Sequence, residues 1–62
     1  MRASDHLMLC QLEEACASFA MLLAEVATGE KRAAFYERAS IHTVKAQEDR
    51  EAARKAAERE ER

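Results

Sequence analysis

Apolar residues in the first half of the chain recur three and four positions apart. Leu9, Leu12, Cys16, Phe19, Leu23 and Val26 keep that alternation unbroken, the a and d spacing of a heptad repeat. Met8, Ala15 and Leu22 form a row beside it. Leu7, Ala20 and Ala27 widen the arc on the other side, and Gln11, Glu14, Ser18 and Glu25 fall opposite. One neighbouring helix does not cover so wide an arc, so the pattern predicts a helix packed against two or more others. Its span reads as 5–28. Ser4 is a suitable N-cap, and Asp5 complements the positive end of the helix dipole.

The second half is helical in a different way. Phe35, Ala39, His42, Ala46, Ala53 and Ala57 share one face, flanked by Ala34, Ile41 and Ala52. This face is thin and rich in alanine, which lets another helix approach closely. The predicted helix runs over 31–58. Its last part, "QEDREAARKAAEREER", carries mixed charge with Glu51–Lys55 and Glu58–Arg62 in the favourable i,i+4 order, and its end is expected to fray.

Between the halves lies Gly29, the single glycine in a chain without proline. A straight helix through it would leave the whole stripe from Leu9 to Val26 in water, whereas burying one such side chain contributes about 1.5–3 kcal/mol. Glycine inside a helix costs about 1 kcal/mol relative to alanine. Both effects place a turn at 28–30, with Gly29 in the left-handed conformation that closes a helix. The alternative is one continuous helix in a long dimeric coiled coil. The expected fold is therefore all-α: a single domain over 1–62, a two-helix antiparallel hairpin that dimerises into a four-helix bundle. Leu9, Leu12, Cys16, Phe19, Leu23 and Val26 form the dimer core.

Composition supports this picture. A chain of 62 residues is marginal as a monomer unless disulfides, a metal or oligomerisation staple it. Charged residues make up 35% and aromatics 5%, a balance typical of long helices. Net charge is −2, with both signs intermixed, which argues against general duplex DNA binding. Cys10 and Cys16 on one helix would be about 9 Å apart along the axis and about 120° apart around it, unsuited to an intrachain disulfide. They read as small buried apolar residues in a reducing compartment. "HLMLCQL" invites a lipidated-cysteine reading, but "MRASDH" is polar and Glu13–Glu14 follow. Acids also interrupt any signal-peptide core. The longest near-apolar run, "ACASFAMLLA", falls short of the roughly 20 residues of a membrane span. The expectation is a cytoplasmic protein without a membrane partner.

Candidate chemistry is sparse. His6 and Cys10 have the i,i+4 spacing of two metal ligands on one face, and Cys16 should lie near His42 in a hairpin. Zinc needs more ligands than either pair supplies, so neither metal nor cofactor is expected. Glu13 and Glu14 diverge by about 100° and form no carboxylate dyad. No glycine-rich loop cradles a nucleotide, and a bundle this small has little room for a cleft, so an enzyme is not expected. The remaining feature is "EKRAAFYER", in which Lys31, Arg32 and Arg38 surround Phe35 and Tyr36. Phe35 should face inward and Tyr36 outward. Tyrosine and arginine are favoured at interface hot spots. Tyr36, Arg32 and Arg38 are thus the candidate partner-binding residues, with Phe35 and Phe19 as further anchors.

Three function classes fit. The first is a non-enzymatic regulator that binds and inhibits or sequesters a larger protein, such as a transcription regulator or other host protein. In size and composition the chain resembles the small helical regulators carried by phages and mobile elements, anti-activators among them. The second is a nucleic-acid-binding regulator. Length, hairpin and heptad pattern resemble the Rop family of plasmid copy-number proteins, helical hairpins that dimerise and bind RNA. That resemblance implies an RNA partner for the small basic excess of Lys31, Arg32, Arg38 and Lys45. The third is a structural assembly subunit. The intermixed charge ranks a protein partner ahead of nucleic acid.

Overall fold

Gly29 sets the path of the chain. A computed structural model describes residues 1–61, and in it Gly29 has φ +59°, a left-handed backbone that L side chains rarely adopt. A Cβ at this position would meet no atom within 4 Å, so glycine is required by backbone conformation and not by space. Helix α1 spans Ala3–Val26 and helix α2 spans Gly29–Glu60. Between them Ala27 (φ −91°, ψ 163°) and Thr28 (φ −131°, ψ 160°) are extended. Two extended residues reach about 7 Å, close to the roughly 8 Å separating two tightly packed helix axes. The turn thus falls one to two residues earlier than its expected place at 28–30. Gly29 opens α2 instead of closing α1, whose last turn is closed by the Ala27 N–H donating to the Leu23 carbonyl at 3.0 Å.

The start of α1 also departs from expectation. Ser4 lies inside the helix, and Arg2 holds the N-cap position. The Arg2 N–H donates to Asp5 Oδ2 at 3.2 Å, so Asp5 performs the capping. The Ala3 N–H donates to Glu60 Oε1 at 3.0 Å. This contact ties the first turn of α1 to the last turn of α2 and satisfies a donor that the helix leaves open. At the other end, α2 continues to Glu60, beyond the expected 58. Arg54 binds Glu58 at 2.7 Å and also pairs with Glu51, so Glu51 chooses Arg54 over Lys55. The Arg54 hydrogen bond holds the Glu51 carboxyl below its ordinary range. The proposed Glu58–Arg62 pair involves Arg62, outside the described residues.

The helices form an all-α antiparallel hairpin about 51 Å long and 12 Å across. Its seam is built from small side chains. On α1, Ala3, His6, Cys10, Glu13, Ala17, Ala20 and Ala24 are the inward positions, and Ala27 continues the series just past the helix. On α2 they are Phe35, Ala39, His42, Ala46, Asp49, Ala53 and Ala56. Each set alternates three and four apart, the repeat of a two-helix coil. Ala56 takes the place expected for Ala57. Alanine at most of these positions lets the backbones approach closely, and Ala24 is fully buried. The heptad of large residues on α1, Leu9 to Val26, is not this seam. At 100° per residue its centre lies about 100° round the helix from the alanines.

Ala24→Leu should overpack the seam and lower stability by about 1–3 kcal/mol. Ala33→Leu, on an exposed part of α2, should change it by no more than about 0.5 kcal/mol. Urea denaturation at one protein concentration checks the pair, and equal midpoints would contradict the seam.

Candidate functional site

The seam divides the rod into two sides. Cys16, Phe19, Ala20 and Leu23 of α1 face Phe35, Arg38 and His42 of α2 across a groove of about 250 Å³. Leu12 and Val26 continue its α1 wall at 57% and 81% exposed, and Phe19 is 63% exposed. On α2, Ala34, Ile41, Lys45, Glu48 and Ala52 run along the same flank as Arg38, with Ile41 well exposed. The other side is mixed: Met21, Tyr36 and Val44 are exposed toward the turn and Leu7 toward the far end, with a polar stretch at mid-length. Glu14, Ala17 and Ser18 meet Thr43, Ala46, Gln47 and Arg50 there. The grooves are open, and none is an enclosed cleft.

Glu13 and Glu14 separate the two sides. Glu13 lies on the seam, its Oε2 2.5 Å from His42 Nδ1. Glu14 turns to the polar stretch and accepts from Arg50. Both carboxylates near the middle of an otherwise apolar helix therefore find partners on α2. Cys10, buried in the seam, donates from Sγ to Glu14 Oε1 at 3.3 Å and lies 3.7 Å from Arg50 Nη2. Burial pushes the Cys10 thiol above its ordinary 9.0, and Glu14 pushes it the same way against the pull of Arg50. Such a thiol is a poor nucleophile. Cys16, by contrast, is exposed on the apolar side. His6 lies in the seam with a buried Nδ1 that has no hydrogen-bond partner. Among the described residues no group of three or more His, Cys, Asp or Glu side chains converges on a metal position.

The five candidate partner-binding residues do not form one patch. Phe35 lies partly in the seam, and the Arg38 guanidinium sits 5.5 Å from its ring centroid, a cation–π contact. Phe19 joins them in the same groove. Tyr36, 40% exposed, lines a different groove with Met21, Ser40, Thr43, Val44 and Gln47. Arg32, one helical turn before Tyr36, is exposed, and the i,i+4 spacing puts it within about 40° of Tyr36 around the helix. Two residues apart on a helix means about 200° of rotation, which is why Tyr36 and Arg38 part company. Sequence spacing contained this separation, but which side each would join required the seam. The role of Arg50 was missed for the same reason, because its partner Glu14 is 36 positions away.

By length and composition α1 is also apolar enough to cross a membrane, despite the short uninterrupted apolar run. The two charges in that stretch are Glu13 and Glu14, and their partnering by His42 and Arg50 suits the hairpin. Comparison with family models, curated proteins and solved structures returned no match. The functional reading therefore rests on the two sides of the rod.

In a chain carrying Cys16→Ser, Cys10 should resist alkylation at pH 8. Adding Glu14→Gln removes one cause of the raised pKa and leaves Arg50 in place, so alkylation should speed up several-fold at unchanged helicity. Mass spectrometry of the modified thiol over time checks this; an unchanged rate would show that Glu14 does not tune Cys10.

Proposed function

We propose that this hairpin is a small, non-enzymatic regulatory protein of the cytoplasm that self-associates and acts by binding a larger protein stoichiometrically. The observation that carries the reading is the α1 face that stays exposed after the hairpin has formed. Leu12, Phe19, Leu22 and Val26 each remain more than half exposed. Covering side chains of this kind contributes about 1 kcal/mol or more apiece, and monomeric soluble proteins rarely expose so long an apolar strip. A second copy supplies the cover, as a homodimeric four-helix bundle.

With that side occupied, the surface left for a larger partner is the one carrying Tyr36 and Arg32. A rigid aromatic ring beside a guanidinium on a helix is a common hot-spot pairing. Arg38, Phe35 and Phe19 border the self-association side. The mode of action is inhibition or sequestration of a transcription regulator or other host protein, by occupying a surface and not by chemistry.

A tagged chain should capture its partner from the native host. Tyr36→Ala and Arg32→Ala should each reduce capture about tenfold, the loss of one hot spot, while Ala33→Ser should not. Equal capture by all three would remove the Tyr36 side from consideration. Retention on RNA that weakens steeply with salt would instead establish a nucleic-acid partner.

A further inference from the structure

We propose that the self-association face has one defined arrangement. Two copies pack α1 against α1 antiparallel, with Leu9 of one chain against Val26 of the other, Leu12 against Leu23 and Cys16 against Phe19. This rests on the self-association half of the function proposed above.

Four observations lead to it. First, the large-residue heptad lies about 100° round α1 from the alanine seam, which matches the near-right angle between two neighbours of one helix in a four-helix bundle. The stripe therefore lies where a second neighbour of α1 would sit. Second, that place must be met by α1 or α2 of the other copy. The α2 flank on this side carries Arg38, Lys45 and Glu48, all exposed. Seating Leu12 and Phe19 on them would bury charges without partners, which is strongly unfavourable. Pairing α1 with α1 sets apolar against apolar and leaves those charges at the rim.

Third, an antiparallel pair matches a positions with d positions of the other chain. Leu9, Cys16 and Leu23 are one set, and Leu12, Phe19 and Val26 the other. One register leaves no layer unmatched, and it places the smallest member, Cys16, opposite the largest, Phe19, on both sides of the two-fold axis. Sliding by a heptad would strand large side chains at both ends. Fourth, Ile41 sits at the level of that axis. It adjoins His42, which lines the same groove as Cys16 and Phe19. Ile41 is the one large aliphatic side chain on this flank of α2, and it is 47% exposed. In the proposed arrangement it meets its own counterpart where α2 approaches α2. Four helices thus close around a core with the alanine seams on two opposite sides, the α1 stripes on a third, and Ile41 alone on the fourth, where Arg38, Lys45 and Glu48 stay at the solvated rim.

Thiol cross-linking on the full chain tests the register. In a background of Cys10→Ala and Cys16→Ser, chains carrying Leu12→Cys are mixed with chains carrying Leu23→Cys and treated with a short bifunctional thiol reagent. The mixed product should form, and neither chain should link to itself, because two Leu12 positions would lie about 16 Å apart along the axis. Phe19→Glu, off the hairpin seam, should halve the mass in sedimentation while keeping its helicity. A dimer in which Leu12→Cys links to itself overturns the antiparallel arrangement and leaves self-association standing. A wild-type chain that is monomeric at micromolar concentration overturns self-association itself. Wild-type chains that float with phosphatidylcholine vesicles would assign the face to a membrane and overturn both.

Discussion

The close approach of α1 and α2 along alanines decides what every other residue does. A helix has a limited circumference, and the side presented to the nearest neighbour is committed. Because alanine, with little help from larger groups, fills that side, the hairpin brings its backbones near each other while using few of the big side chains. Packing of this kind gains from many short contacts spread along the length. It also leaves Leu12, Phe19, Leu22 and Val26 of α1 displaced to one flank and more than half exposed. The hairpin is complete as a shape and incomplete as a core, a common situation for chains of this size.

The polar contacts reinforce that division. Glu13 and Glu14 are adjacent in sequence but face different directions, and each finds a cation or imidazole on α2. The pairing with Arg50 and His42 fixes which flank of α1 joins which flank of α2 and keeps the carboxylates off the apolar strip. Such exposed or half-exposed pairs add little to stability by themselves. Their effect is on orientation: a slide along the seam would separate them. Cys10 belongs to the same cluster and behaves as a packed, weakly reactive thiol, whereas Cys16 lies among the apolar residues of the exposed strip.

The two sides suggest two different uses. An apolar flank with a self-complementary heptad suits association with an identical chain. A mixed flank, with Tyr36 beside Met21 and Val44 and polar residues at mid-length, suits a specific and reversible contact with something else. The aromatic–basic segment just after the turn borders both flanks, because Phe35 and Tyr36 diverge by one helical step. One short stretch thus places Phe35 and Arg38 beside the apolar groove and Tyr36 in the groove on the opposite flank.

Much of this was written in the chain itself. Helical periodicity, the lone glycine and the alanine face of α2 are local signals of a two-helix hairpin; the cost of an exposed Leu9–Val26 stripe did not decide the turn, because the hairpin leaves much of that stripe exposed as well. The inward setting of Phe35, Ala39 and His42 and the divergence of Phe35 from Tyr36 follow from the angle between successive helical residues. Other features needed the fold. Ser4 looks like a cap, but Glu60 and Asp5 settle the start of α1 two residues earlier, in part through a contact between opposite ends of the chain. The seam positions of α1 were hidden because two heptads overlap there, one small and one large, and periodicity does not say which meets α2. The choice depends on how closely the alanine face of α2 lets another backbone approach, and that is a property of two helices together.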